Sequence, residues 1–366
     1  MKKDIKNKRL IYLVFFISLL FLLFYTYMIK SNENASFSPE EMIQLKQSKD
    51  FMNSALEILQ QEKQAKGIKI NYENDPNGTG LIGSDYSMIT TTVGHLDAKR
   101  TSINPDMAAL ICSIFIKQGL KSGDSVAIGS SASFPGLLLA ALSACKILNL
   151  QPITMVSLGA SQYGANEIDF TIIDILKTLE GSFGEFFRPV AISYGGNNDT
   201  AEDLSDEARS FMAKEIQKSR YPLIFQNDLE KNVNERMAIY LEKAKSEIKM
   251  FVNIGGAISN IGNSPEILNL KPGVNEHIEN IPEKKSRGVL FEFALLKKPI
   301  LHLLYIKGLS LKYNVIWDPI PFQDDSFLSI NQIDAHEKSE YSIFFFIFIG
   351  VISILIFLGK RLIHLS

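Results

Sequence analysis

Apolar residues crowd the two ends of this chain and fall into short blocks between them. Residues 10–29 are almost unbroken apolar sequence, and residues 341–359 form a second run dominated by Phe, Ile and Val. Each run is long enough to cross a hydrocarbon core of roughly 30 Å. Between the two runs the pattern changes. Strand-length apolar blocks, each closed by glycine and small polar residues, alternate with blocks of helical period.

The interior blocks predict a series of elements. Ser38-Pro-Glu-Glu41 is a helix start, with a Ser cap, Pro at the first position and Glu at the third. The stripe Leu45, Phe51, Met52, Ala55, Leu56 and Leu59 carries this helix onward as a connector between the first apolar run and the body of the protein. Residues 71–80 are a turn-rich break, and residues 81–92 read as a strand or extended segment. Asn104-Pro105-Asp106 opens a helix to about Gln118. Strands follow at 124–129, 152–159, 190–194, 221–225, 250–254 and 314–317. Helices are expected at 137–150, after Asp169, from the Ser205 cap to about Lys218, at 228–247 and at 287–304. Strand then helix with short connections is the signature of an α/β fold. The expectation is an open, mostly parallel sheet with helices on both faces, flanked by an N-terminal and a C-terminal transmembrane helix.

Charge orients the apolar runs. Lys2, Lys3, Lys6, Lys8 and Arg9 precede the first, and Lys360 and Arg361 follow the second. Positive residues stay on the cytoplasmic side, so both termini are expected there and the body outside the cytoplasmic (inner) membrane. The resulting division is a tail and span at 1–30, a connecting helix and linker at 31–79, an extracytoplasmic α/β domain at 80–323, a linker at 324–340, and a second span and tail at 341–366. A cleaved signal peptide is the rival for the first run, but the run is long for one and no clean small-x-small site follows it. A buried core helix is the rival for the second, and its terminal position beside Lys360 and Arg361 argues against that.

Composition narrows the function class. The 366 residues carry a net charge of −2, so no large basic field points to nucleic acid. Cys112 and Cys145 are the two cysteines, both in apolar helical runs, which excludes a disulfide-stapled scaffold. Paired cysteines, HxH and HExxH spacings are absent, as is the Gly-Lys-Ser/Thr ending of a nucleotide loop, so no metal or cofactor is expected.

The candidate chemistry lies in loops that follow strands. Gly129, Ser130 and Ser131 close one strand, and Ser161 and Asn166 follow the next. Asn197 and Asp199 follow a third, and Gly255, Gly256 and Asn260 a fourth. Such loops gather at the carboxyl ends of parallel strands, where open α/β sheets bind ligands. Glycine permits close backbone approach, and Ser and Asn supply neutral hydrogen bonds suited to a carboxylate, phosphate or peptide-like group. The same residues also serve ordinary strand-to-helix turns. Gly129-Ser-Ser131-Ala-Ser133 resembles a nucleophile elbow in which Ser133 replaces the second glycine. A histidine base would have to be His95, His277 or His302, none within a local motif. Lys99 offers a Ser–Lys alternative, with Ser131 or Ser133 as nucleophile. Lys99 and Arg100, with Thr101, also stand just before a helix start and could clamp a carboxylate.

Several of these segments together resemble a known family. They are Gly80-Leu-Ile-Gly83, Ser87-Met-Ile-Thr-Thr-Thr92, Ala98-Lys-Arg-Thr101 with Asn104-Pro105, Ser131-Ala-Ser-Phe-Pro135, Ser157-Leu-Gly-Ala-Ser161 with Gly164-Ala-Asn166, Gly195-Gly196, and Asn253-Ile-Gly-Gly-Ala257. With the first apolar run, they resemble the membrane-anchored poly-gamma-glutamate system protein family of bacterial capsule-type gene clusters. The family pattern has glycine where this chain has Ala132. The resemblance implies a part in making, exporting or retaining poly-γ-glutamate at the cell envelope. It implies as partners the polymer or the membrane synthase and exporter subunits, beside the lipid bilayer, and it brings no catalytic residues with it. Three functions stay open: an external accessory subunit that binds polymer or the synthase–exporter complex, a serine-dependent γ-glutamyl amide hydrolase or transferase, and an α/β binding domain for a phosphorylated or amino-sugar ligand.

Overall fold

A computed structural model of the protein describes residues 37–324, together with Tyr12, Phe21, Ile352 and residues 16–19 and 348–349 in the terminal segments. The chain divides into two compact units, 1–38 with 331–366 and 39–330. In the terminal unit the described residues up to Phe21 and those from Phe348 on are helical, and Phe21 stacks on Phe348 with ring centroids 3.9 Å apart. Most of both expected membrane spans, and the expected linker after Asp324, lie outside the described residues. Among the described residues, no helix is long and apolar enough to cross a membrane.

The larger unit is built on a six-stranded, mostly parallel mixed sheet. Its strands are β2 (Ser125–Ser131), β3 (Gln151–Ser157), β7 (Ala191–Ser193), β8 (Ile248–Ile254), β9 (Gly273–Asn275) and β10 (Ile300–Leu303), in the order β7-β3-β2-β8-β10-β9. Neighbours are parallel except β9, which closes one edge antiparallel to β10. Short ladders elsewhere pair β1 (Thr90–Thr92) with β4 (Ala160–Ser161) and β5 (Asn166–Glu167) with β6 (Phe170–Thr171). The chain winds outward from β2 to β7, then returns to the other side of β2 to lay down β8 and β10. The direction of winding therefore reverses between β2 and β8.

The helices, in chain order, are α1 (Pro39–Ala65), α2 (Leu96–Ile103), α3 (Asp106–Lys117), α4 (Pro135–Ile147), α5 (Ile172–Phe183), α6 (Asp206–Ser219), α7 (Leu229–Lys243), α8 (Ile258–Ile261), α9 (Val289–Leu295) and α10 (Ile306–Tyr313). Local chemistry explains several starts. Ser205 Oγ accepts the Ala208 N–H, Asp228 accepts the Lys231 N–H, and Thr171 with Asp174 forms a reciprocal capping box. One sheet face packs Ala127, Met155, Phe251 and Ile300 against Val233 and Tyr240 of α7 and Phe291 and Phe293 of α9. Burying each such side chain contributes about 1.5–3 kcal/mol. The other face takes α4, which is apolar nearly all round as its sequence indicates, and α1 and α3 pack on α4 and on each other.

Four expectations change in detail. The helix expected as a connector, α1, lies within the α/β body, with Leu45, Met52, Ala55 and Leu59 fully buried. Residues 287–304 are not one helix. Lys297 takes a left-handed conformation (φ 56°) ahead of Pro299, which ends α9, and Ile300 to Leu303 become β10. Residues 314–317 are not a strand, because Asn314 ends α10 in the left-handed region. Residues 221–225 form only an isolated bridge, Ile192 to Leu223. Cys112 and Cys145 are both buried free thiols.

Candidate functional site

A cavity of about 730 Å3 opens at the carboxyl ends of the parallel strands. Its floor carries Ser131 at the end of β2, Ser157 at the end of β3, and Gly256 and Ala257 after β8, so it straddles the point where the winding reverses. That is where an open α/β sheet leaves a crevice, because the loops on either side depart in opposite directions. The walls come from the segment 91–99, from Gly159 and Ser161, from Gly196, Asn197 and Asp203, from residues 304–307, and from Trp317.

Lys99 is the most unusual group in the cavity. It projects from α2, is 2 % exposed, and donates from Nζ to the Ser133 carbonyl and to Ser161 Oγ at 2.7 Å. The Phe134 ring lies beneath, its centroid 3.7 Å from Nζ. Burial alone pulls the Lys99 ammonium from its ordinary 10.5 down to about 7. Near neutral pH the amine is therefore partly unprotonated. In that form it offers two N–H donors and one lone pair, enough to accept the Ser161 hydroxyl proton while still bonding the Ser133 carbonyl. Ser161 is held in turn, since its N–H donates to Ser133 Oγ at 3.0 Å.

Beside this pair runs a row of serines. Ser131, Ser157 and Ser193 are register partners across β2, β3 and β7, so their side chains share one face. Ser193 Oγ is engaged by Asp199 at 2.8 Å and by Arg236 at 2.7 Å. Ser131 Oγ and Ser157 Oγ are buried and have no hydrogen-bond partner within the protein. Glycines leave them room. A Cβ on Gly255 would collide with Ser131 Oγ, and one on Gly195 would stand 3.2 Å from Ser157 Oγ.

Helix starts lie beside the same space. The residues just before α2, α4 and α10, His95, Phe134 and Tyr305, line the cavity, and none makes a side-chain cap. First-turn N–H groups have no backbone partner within their own helices and carry partial positive charge. The acids in the lining, Asp97 and Asp203, already accept backbone N–H groups of Ala98 (2.8 Å) and Asn197 (2.6 Å). Among the described residues, no group of three His, Cys, Asp or Glu side chains could hold a metal ion.

The residues singled out from the sequence therefore divide. Ser131, Ser133, Lys99, Ser161, Asn197 and Gly256 line the cavity, and Gly255 adjoins it under Ser131. Arg100 does not. Its guanidinium makes two 2.6 Å bonds to Asp318, while Thr101 Oγ1 accepts the Asp318 N–H, so both tie α2 to the C-terminal loop. Asn166 braces Ser84 and Thr90. Asp199 lies in a buried cluster with Arg236 (2.7 Å), Ser193 and Asn232 (3.0 Å). That cluster holds a loop in which Gly195, Gly196, Asn198, Asp199 and Ala201 all have positive φ. Gly129 sits inside β2, directly under Asn260, and Ser130 Oγ bonds the Ser131 carbonyl at 3.1 Å. His302 is buried away from the cavity lining, 3.0 Å from Asn253 Nδ2, and burial lowers it to about 4. It has no contact with any candidate nucleophile. His95, one of the three possible histidine bases, lines the cavity, and so do Ser157, Thr91 and Trp317, which the sequence does not single out as site residues. Only the Ser157-x-Gly159 ending of β3 signals one of them in the sequence. No family model, curated protein or solved structure matches the chain.

Proposed function

We propose that this protein is a serine–lysine acyl-transfer enzyme, cleaving or exchanging γ-glutamyl amide bonds of poly-γ-glutamate at the outer side of the cytoplasmic membrane. The observation that carries the reading is the buried Lys99 amine, brought down to about 7 and set 2.7 Å from Ser161 Oγ in the cavity at the sheet's winding reversal. A poised base within hydrogen-bond reach of a hydroxyl, itself oriented by a further group, is the arrangement an activated nucleophile needs. The resemblance to the poly-γ-glutamate family supplies the substrate. The apolar terminal runs and their basic flanks support the membrane setting.

In this reading Ser161 Oγ bonds to the amide carbonyl carbon as its proton passes to the neutral Lys99 amine. The C–N bond then breaks, and the leaving amine takes the proton from the Lys99 ammonium. Water attacks the resulting ester and gives its proton to Lys99. The ester C–O bond breaks, Ser161 takes a proton back, and a carboxylic acid is released. An amine in place of water gives transfer instead of hydrolysis.

The test uses the full-length chain in detergent, incubated with poly-γ-glutamate and followed by gel and light scattering. Shortening of the polymer, lost by roughly a thousandfold or more in S161A and K99M, is the expected result. Labelling of Ser161 by a fluorophosphonate, read by mass spectrometry, is its covalent counterpart. Shortening that persists in S161A would refute this assignment of the nucleophile. Polymer that binds without shortening, with Ser161 unlabelled, would favour the accessory-subunit reading, which the uncapped helix starts around the cavity also support.

A further inference from the structure

We infer that Ser131 and Ser157 form an anion subsite in the cavity floor, separate from the Lys99–Ser161 pair, which holds a carboxylate or phosphate group of the ligand. The inference rests on the acyl-transfer reading only in taking that ligand to be the substrate. The geometry stands without it. The two residues are neighbours in register on adjacent parallel strands, so their backbones run about 5 Å apart and their side chains share one face, within reach of a single oxyanion. Both hydroxyls are buried and neither has a partner in the protein. Ser193, the third of the row, has both its bonds within the protein. The two free hydroxyls are thus the ones that face the cavity, and the occupied one lies behind them.

The surroundings favour negative charge. The residues before the uncapped α2, α4 and α10, His95, Phe134 and Tyr305, line the cavity, and Lys307 stands there with them. Asp97 and Asp203 have part of their acceptor capacity taken by backbone N–H groups. The space the hydroxyls need is itself built. Gly255 has φ 78°, a left-handed conformation, and a Cβ there would collide with Ser131 Oγ, so the hydroxyl keeps its place only beside a glycine. A buried hydroxyl without a partner lowers stability, so keeping two in register is explained by a ligand that pairs with them.

The experiment measures binding of glutarate and of inorganic phosphate to the full-length chain in detergent by calorimetry, comparing wild type, S131A, S157A and the double variant. Each serine-to-alanine change in the floor should weaken the bound anion by about ten- to hundredfold. Whichever of the two probes binds identifies the head group as carboxylate or phosphate. Thermal midpoints of S131A and S157A should be unchanged or raised, which separates lost recognition from lost folding. Equal binding by wild type and the double variant, or binding of neither probe by wild type, would overturn the inference. Fluorophosphonate labelling of Ser161 in the double variant tests the nucleophile independently, so one reading can fail while the other stands.

Discussion

Replacing Lys99 by methionine separates the energetic penalty of its burial from its use. The gap between the ordinary 10.5 and about 7 corresponds to about 5 kcal/mol, at 1.36 kcal/mol for each pH unit. The folded value lies below the unfolded one. Between the two values the unfolded chain therefore binds the proton that the folded chain has released, and stability climbs with pH through that window. The penalty is present in full at about pH 6 and falls to about 1.5 kcal/mol near pH 9.5, where the unfolded lysine is itself starting to titrate. Methionine fills a similar volume and carries no charge. It also loses the bonds to Ser133 and Ser161 and the contact with Phe134, worth about 1 kcal/mol each. Net stabilisation of about 2 kcal/mol is expected near pH 6. The sharper quantity is the difference of differences. K99M should gain about 3 kcal/mol more at pH 6 than at pH 9.5, and losses that do not depend on pH cancel from it. Urea unfolding of the full chain, read from Trp317, the single tryptophan and a cavity-lining residue, measures this directly. A variant whose stability tracks wild type across that range to within about 1 kcal/mol would show that Lys99 is not held near neutrality, and the base assigned to Ser161 would go with it.

Three further outcomes follow from the same structure. His302, buried and lowered to about 4, should subtract about 3 kcal/mol of stability as pH falls from about 6.5 to 4, because the unfolded chain protonates first. H302N should flatten that part of the profile. R236M should lose about 3–5 kcal/mol in urea unfolding by leaving Asp199 charged and buried, and adding D199N should restore part of the loss. G136A should cost about 1–3 kcal/mol and lower Ser161 labelling by fluorophosphonate. Its Cβ would stand 2.7 Å from the Ser102 carbonyl and 2.8 Å from Ile103 Cα, pushing α2 and its Lys99 away from α4.

Much of the architecture can be read along the chain because its signals are local. Ser205 and Asp228 announce α6 and α7, since a cap is an interaction within one turn. The apolar blocks of β2, β3 and β8 stand out because each is bounded by glycine and small polar residues. The errors fall where two local signals compete. Residues 287–304 have helix-length apolar content, but Pro299 divides them into a helix and the strand β10. The segment around Lys99 shows the limit most clearly. Read in a line, Lys99 and Arg100 form a basic pair suited to one anion. They lie on a helix, where successive side chains diverge by about 100°. One turns inward to Ser161, and the other turns to Asp318, 218 residues further along.

The sequence by itself determined most of the helices, the strands β2, β3, β7 and β8, the apolar ends and the glycine- and serine-bearing loops after the strands, because each of these rests on neighbours within a few residues. The tertiary structure alone decided the order β7-β3-β2-β8-β10-β9, and with it which loops meet. It buried Lys99 and chose Ser161 as its hydroxyl partner. It set Ser131 and Ser157 side by side without partners, and closed Arg100 and Asp199 into ion pairs away from the cavity. Burial, desolvation and pairing depend on what arrives from distant parts of the chain, and the spacing of residues along it carries no record of that.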